Sequence, residues 1–164
     1  TGTRVAAAAS ARAALRLALD HATLSASAEL LGVMDCALEM TLAYLRTRVQ
    51  FGKPIGSFQA LQHRAVDMYI QKELTRATLA AALATVQAPD CTPDQRTAAA
   101  SSAKARATQA ALAICKEALQ MHGAIGYTDE YDLGLYFNRA LVLSAWLGNA
   151  AMHRSRYAAL APLA

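Results

Sequence analysis

Tyr44-Leu45-Arg46-Thr47-Arg48-Val49-Gln50-Phe51-Gly52-Lys53-Pro54-Ile55-Gly56 separates one long helical pattern from the next. Glycine admits left-handed dihedrals and proline cannot continue a helix, so Phe51-Gly52 and Lys53-Pro54-Ile55-Gly56 break the pattern and turn the chain back. Upstream, Leu17, Leu24, Leu31, Leu38 and Leu45 recur at every seventh position, which predicts one apolar stripe on a first helix from about Ala13 to Arg48. Such a helix is roughly 50 Å long. As a leucine zipper the same register would put Ala14, His21, Ala28 and Asp35 at the a positions, a poor seam, and a globular helical bundle is the better reading.

Downstream, Ser57 can cap a second helix in which Phe58, Leu61, Ala65 and Met68 keep helical spacing, and which runs until Pro89. Thr92-Pro93-Asp94-Gln95 specifies the start of a third. Thr92 is placed to accept an orphan backbone N–H, Pro93 suits the first helical position, and Gln95 can reach back to complete a capping box. The Ala-rich stretch from Ala98 to Ala113 has little bulk, which lets a neighbouring helix come close, and the helix ends near His122-Gly123. Thr128, Asp129 and Glu130 predict a fourth helix from about Asp129 to Ser144 by capping it and opposing its dipole. A fifth runs from roughly Leu147 to Leu160. The expected fold is all-α, an antiparallel up-down bundle of three long and two short helices. Residues 1–164 read as a single domain, with 1–12 either disordered or the remains of a connection to something upstream.

Composition agrees. Of 164 residues 55% are hydrophobic but only 6% aromatic, the balance being Ala and Leu, which favours helices over strands. Cys36, Cys91 and Cys115 are odd in number and lack Cys-x-x-Cys spacing, which argues against a disulfide framework or a thiolate zinc site and fits a reducing cytoplasm. There is no basic-then-apolar leader, and Arg16, Asp20, Glu29 and Asp35 interrupt the first apolar helix, so no membrane span is expected. The formal charge of +4 comes from scattered basic residues with acidic neighbours, which suits an anionic small ligand such as a diphosphate better than nucleic acid. His21, His63, His122 and His153 are dispersed, form no i, i+4 ligand pair and predict no metal site. Met34, Met40 and Met68 read as core filler.

The quoted stretch, followed by Phe58-Gln59-Ala60-Leu61-Gln62-His63, resembles the C-terminal helical domain of acyl-CoA dehydrogenases. A second block, Gln120-Met121-His122-Gly123-Ala124-Ile125-Gly126-Tyr127-Thr128-Asp129-Glu130-Tyr131, is similar to that family's glycine loop and helix start. Together the blocks extend the resemblance from about Leu19 to Arg154. It implies α,β-dehydrogenation of an acyl-CoA thioester, an FAD cofactor shared across a subunit interface, and a homo- or hetero-oligomer with related subunits. It also implies that Arg48, Gln50 and Phe51 contact the FAD of a neighbouring subunit, with Phe58 and Gln59 close by, and that Gln120, Gly123 and Ala124 line the adenosine diphosphate part. Ala124 departs from the family's second glycine. Physically, Arg48 falls in the last turn of a helix, where a cation is favoured, and a guanidinium can hold a phosphate through two hydrogen bonds. The blander reading makes Arg48 a helix-ending cation, Phe51 a core residue and Gly123 a helix stop.

The family's Gly-Glu-Gly-Thr run falls on Trp146-Leu147-Gly148-Asn149, which replaces the catalytic glutamate with Leu147. A leucine has no lone pair to receive an α-proton. In other branches the glutamate stands on the first helix, at a position aligning with Ala22 beside an arginine aligning with Thr23, and neither is present here. Asp20 is the nearest alternative carboxylate, but two residues turn it about 200° from the face of Ala22. Asn149 still offers an amide where the family has threonine, and Trp146 could fill the space of the thioester. This pattern resembles the base-lacking companion subunits of heteromeric acyl-CoA dehydrogenases in bacterial sterol or dicarboxylate breakdown. The implied function is therefore a chain with no catalytic residue of its own that supplies interface and part of an FAD site while a partner carries the base. The alternative is a non-catalytic helical association module that no longer binds flavin.

Overall fold

The computed structural model describes residues 7–160. Five α-helices follow in order: α1 (Ala8–Thr47), α2 (Gln59–Gln87), α3 (Pro93–His122), α4 (Leu133–Ala145) and α5 (Ala150–Leu160). Asp20 on α1 meets Thr97 on α3, and Tyr44 on α1 stacks on His122 of α3, so these two helices run parallel. Asp35 on α1 meets Lys72 and Arg76 on α2, which returns between them. Leu143 of α4 lies against Lys104 of α3, and Tyr157 and Leu160 of α5 lie beside Gln95 and Ala98. The two short helices thus descend α3 in succession and complete an up-down-up-down bundle.

α3 is the central helix and packs against all four others. Ala100, Ala103, Ala107, Ala110, Ala111 and Ala118 are buried along it, so it is small side chains that bring its neighbours close. From α1 the stripe supplies Leu24, Leu38 and Leu45, with Leu31 partly buried and Leu17 exposed; Leu30 and Met34 are fully enclosed. Burying each of these larger side chains contributes about 2 kcal/mol. The expected capping box of α3 is present: Gln95 N–H donates to Thr92 Oγ1 at 3.2 Å and Thr92 N–H to Gln95 Oε1 at 2.9 Å.

Several expected boundaries move. α1 begins at Ala8, so Ala8–Arg12 are helical, while the part of that expectation covering residues 1–6 lies outside the described residues. Ser57 does not cap α2: it closes a 3-10 turn, Ile55–Ser57, and its hydroxyl donates to Pro54 O at 2.8 Å, so that α2 starts at Gln59 behind Phe58. Thr128 likewise turns back, donating to Ile125 O at 2.9 Å at the end of a 3-10 turn, Gly123–Tyr127, and α4 starts only at Leu133. Both hydroxyls prefer the carbonyl three residues behind, the local competition that makes Ser and Thr ambiguous cap signals. α5 starts at Ala150 because Asn149 Oδ1 accepts the Met152 N–H at 2.9 Å.

Candidate functional site

The turn after α1 is a two-stranded hairpin, β1 (Val49–Gln50) and β2 (Lys53–Pro54), pairing Val49 with Pro54 and Gln50 with Lys53. Its two loop residues both have positive φ, 54° at Phe51 and 76° at Gly52. That is the pattern of a tight hairpin turn whose first position usually holds Asn or Gly. Phe51 in the left-handed region costs about 1 kcal/mol. Burial among the described residues does not recover that cost, since Phe51 is 89% exposed. The reading of Phe51 as core is therefore incorrect.

Around Phe51 stand Arg48, Gln50 and Gln59, all exposed, and Phe58, partly buried with its ring edge-on to Phe51 at 6.0 Å. Lys53 Nζ lies 4.4 Å from the Phe58 ring centre. The backbone of Arg48 closes α1 by donating to Tyr44 O at 2.9 Å, while no acidic side chain among the described residues pairs with its guanidinium. Two exposed cations and two aromatic rings, one exposed and one partly buried, thus gather at one strained turn. Lys53 went unnoticed in the sequence reading, although a cation inside the quoted stretch was signal enough.

At the same end of the bundle, Gln120, Gly123 and Ala124 are exposed, and Gly123 ends α3 with φ 68°. His122 ties this end to α1. Its Nδ1 lies 2.7 Å from Ala118 O, which can only accept, so Nδ1 carries the proton and Nε2 is free to accept from Tyr131 Oη at 3.3 Å. Burial pushes the His122 pKa down, with the Ala118 carbonyl opposing. The adjacent cleft of about 370 Å³ beneath Gly126 and Tyr127 is lined by Asp129 and Asp132 and by none of the candidate residues. Its carboxylates suit a phosphate poorly.

Asn149 lies elsewhere. The loop from Trp146 to Asn149 packs beside Lys104, 18 residues before His122 on α3 and so about 27 Å up that helix. Leu147 has φ 61° and Gly148 φ 106°. The Leu147 side chain is partly buried against the main core, while Trp146 is 50% exposed. A Cβ on Gly148 would come 1.8 Å from Met152 Cε and 3.3 Å from His153 Nε2, so the glycine also makes room for α5. The loop carbonyls are held from inside. Lys104, fully buried, donates to Leu143 O at 2.8 Å, Trp146 O at 3.0 Å and Gly148 O at 3.1 Å, and His153 Nε2 donates to Leu147 O at 3.1 Å. Sequence reasoning missed both residues. The available signal was a lysine on the apolar face of α3, in step with Ala100, Ala107 and Ala111.

Asp20 is fully buried and accepts from Thr97 Oγ1 at 2.7 Å, with Arg96 Nε at 3.4 Å and Arg156 Nη2 at 3.5 Å. Its carboxylate is committed to an internal charge cluster joining α1, α3 and α5. That placement leaves no face for a substrate proton.

The family described as "Acyl-CoA dehydrogenase, C-terminal domain" matches residues 11–161. Acyl-CoA dehydrogenase IpdE2 of Mycolicibacterium smegmatis is 44% identical over 121 residues, covering 74% of this chain and 36% of the relative. Among solved structures, a variant of the Tcur3481-Tcur3483 steroid ACAD superposes with a TM-score of 0.84 at 36% identity, over 90% of this chain and 40% of that one. The ChsE4-ChsE5 complex from Mycobacterium tuberculosis gives 0.80 at 33% identity, over 89% and 39%. The chain thus spans little more than a third of the length of these proteins. It belongs to the acyl-CoA dehydrogenase family, and the part of that family it matches is the C-terminal helical domain.

Proposed function

We propose that the chain provides the bundle interface and part of an FAD site in a heteromeric acyl-CoA dehydrogenase, with a partner subunit supplying the base. The observation that carries this reading is Phe51: a large apolar ring on a strained turn, fully offered to solvent beside Arg48 and Lys53, which makes physical sense only against something outside the chain. The fit to FAD is chemical. An unpaired guanidinium and an ammonium suit a diphosphate, and two rings set edge to face leave a flat surface for a planar group.

On this reading Arg48, Gln50, Phe51, Phe58 and Gln59 hold the cofactor of a neighbouring subunit, Gln120, Gly123 and Ala124 lie along its adenosine diphosphate, and Asn149 approaches from the other loop. The separation of about 27 Å along α3 favours two different FAD molecules, one met by each end. Bound FAD would supply the two-electron oxidant for α,β-dehydrogenation of an acyl-CoA thioester. Leu147 and Trp146 would close the site against water without accepting a proton, so the α-proton goes to a carboxylate of the partner. The paired solved relatives, one of them a steroid ACAD, support a heteromer acting on a steroid-derived thioester. Three free thiols suit a cytoplasmic setting.

Flavin titration of the assembled oligomer tests this. Arg48→Ala should weaken FAD binding about tenfold, or about 1.4 kcal/mol. No flavin uptake by the wild-type assembly would leave the association module as the correct reading. Separately, full dehydrogenation by the chain without a partner would reject the borrowed base, whereas Leu147→Glu should gain measurable activity.

A further inference from the structure

We infer that Lys104 and His153 are positioning residues for the Trp146–Asn149 loop, holding its backbone in the orientation it presents at the flavin face whatever side chain stands at position 147. The clamp is read from the geometry alone; only its bearing on flavin rests on the function proposed above. An ammonium has three protons to donate, and all three find carbonyls: Leu143 O in the last turn of α4, then Trp146 O and Gly148 O in the loop. The intervening carbonyl, Leu147 O, is taken by His153 Nε2 from α5. Two side chains from two helices therefore fix every carbonyl from Trp146 to Gly148.

A helix end needs partners for its last carbonyls, but solvent would serve an exposed one. Here a fully buried lysine serves instead, and burial lowers its pKa from the ordinary lysine value. Desolvating an ammonium is expensive, and here its hydrogen bonds to these carbonyls offset that cost. What the ammonium adds is shape: it holds Leu147 at φ 61° and Gly148 at φ 106°, conformations that the loop would leave if freed. Because Lys104 and Gln120 share one helix, 16 residues apart, α3 also fixes the spacing of the loop from the other candidate contacts at about 24 Å.

Trp146 is the single tryptophan of these 164 residues and lies inside the clamped segment, so its fluorescence reports on the loop. In the full chain, Lys104→Met should shift Trp146 emission to the red and at least double its quenching by acrylamide, with helicity retained by circular dichroism. Ile114→Val, a core substitution away from the loop, should leave both unchanged. In the oligomer, Lys104→Met should also weaken FAD binding at least tenfold. Should that variant fail to fold, His153→Gln, which removes one hydrogen bond, is read by the same quenching measurement. Unchanged emission and quenching in whichever folded variant is measured would overturn the clamp. Failure of the wild-type oligomer to take up FAD would instead defeat the proposed function, leaving the quenching result to stand by itself.

Discussion

Phe51-Gly52 and Leu147-Gly148 share a backbone device: a bulky residue forced to positive φ, followed by a glycine at positive φ. Their surroundings differ. At the hairpin the strained residue stays exposed, with Phe58 edge-on to it and the exposed Arg48 and Lys53 beside it. At the second loop the strained leucine is tucked against the core and every carbonyl from Trp146 to Gly148 is held by a buried side chain. Similar strain is thus left open to solvent in one place and held from inside in the other. On the proposed function the first region receives a neighbour, while the second is held within the chain.

The comparison predicts that stability resides in the second region. Lys104→Met would leave one buried and two partly buried carbonyls without that donor, and should cost about 3 kcal/mol in urea unfolding. Arg48→Ala at the hairpin should change the same measurement by less than about 0.5 kcal/mol. If both variants lost equal stability, the hairpin would be part of the internal framework and the contrast would fail. Gly148→Ala should cost about 2 kcal/mol, because alanine resists φ 106° and its Cβ must displace Met152. Gly52→Ala, where a Cβ meets nothing within 4 Å, should cost less.

Acid should find the difference next. Burial lowers the pKa of His153, and the charges of Lys104 and Arg156 lower it further; burial likewise lowers that of His122. Below the ordinary value of 6.5 the unfolded chain therefore binds protons that the folded chain refuses, so stability is full above that pH and falls as acid carries the solution toward the depressed folded values. Each ring can contribute at most about 1.4 kcal/mol per pH unit. Urea midpoints between pH 7.5 and 5 should show the decline, and His153→Gln should flatten it. A slope unchanged by that substitution would mean that the second loop is not the acid-sensitive element.

These regions were unequally legible in the sequence. Helix order and the α3 capping box follow from local chemistry, since Thr92, Pro93 and Gln95 act within one turn. The hairpin could be located from Gly52 and Pro54, but Phe51 was ambiguous because an aromatic at a turn looks like core until its exposure is known. Ser57 and Thr128 misled because a hydroxyl can bond forward to an N–H or back to a carbonyl. Leu147 was visible by alignment with a motif. Lys104 and His153 were not, because the carbonyls that Lys104 holds are 39 to 44 residues away, and the one that His153 holds, six residues back, comes within reach only once α5 folds against the loop. Asp20 could be doubted as a base from helix geometry, but its two arginines come from α3 and α5.

One small expected effect has the opposite sign. Phe51 stands where a tight hairpin turn prefers Asn, so Phe51→Asn should relieve backbone strain and raise stability by about 0.5 kcal/mol in urea unfolding. In an ordinary surface turn nothing would be lost. If the ring is retained for a partner, the same variant should bind FAD about tenfold more weakly in the oligomer while folding better. Leu147→Asn relieves the same kind of strain but gives up the contact of Leu147 with the core, so it should not stabilise. A variant that gains stability and loses binding at Phe51, set beside one that gains nothing at Leu147, would separate strain kept for a neighbour from strain satisfied within the fold. Stabilisation at Phe51 with FAD binding intact would make the hairpin a simple connector and leave Arg48 without its aromatic companion in the proposed site.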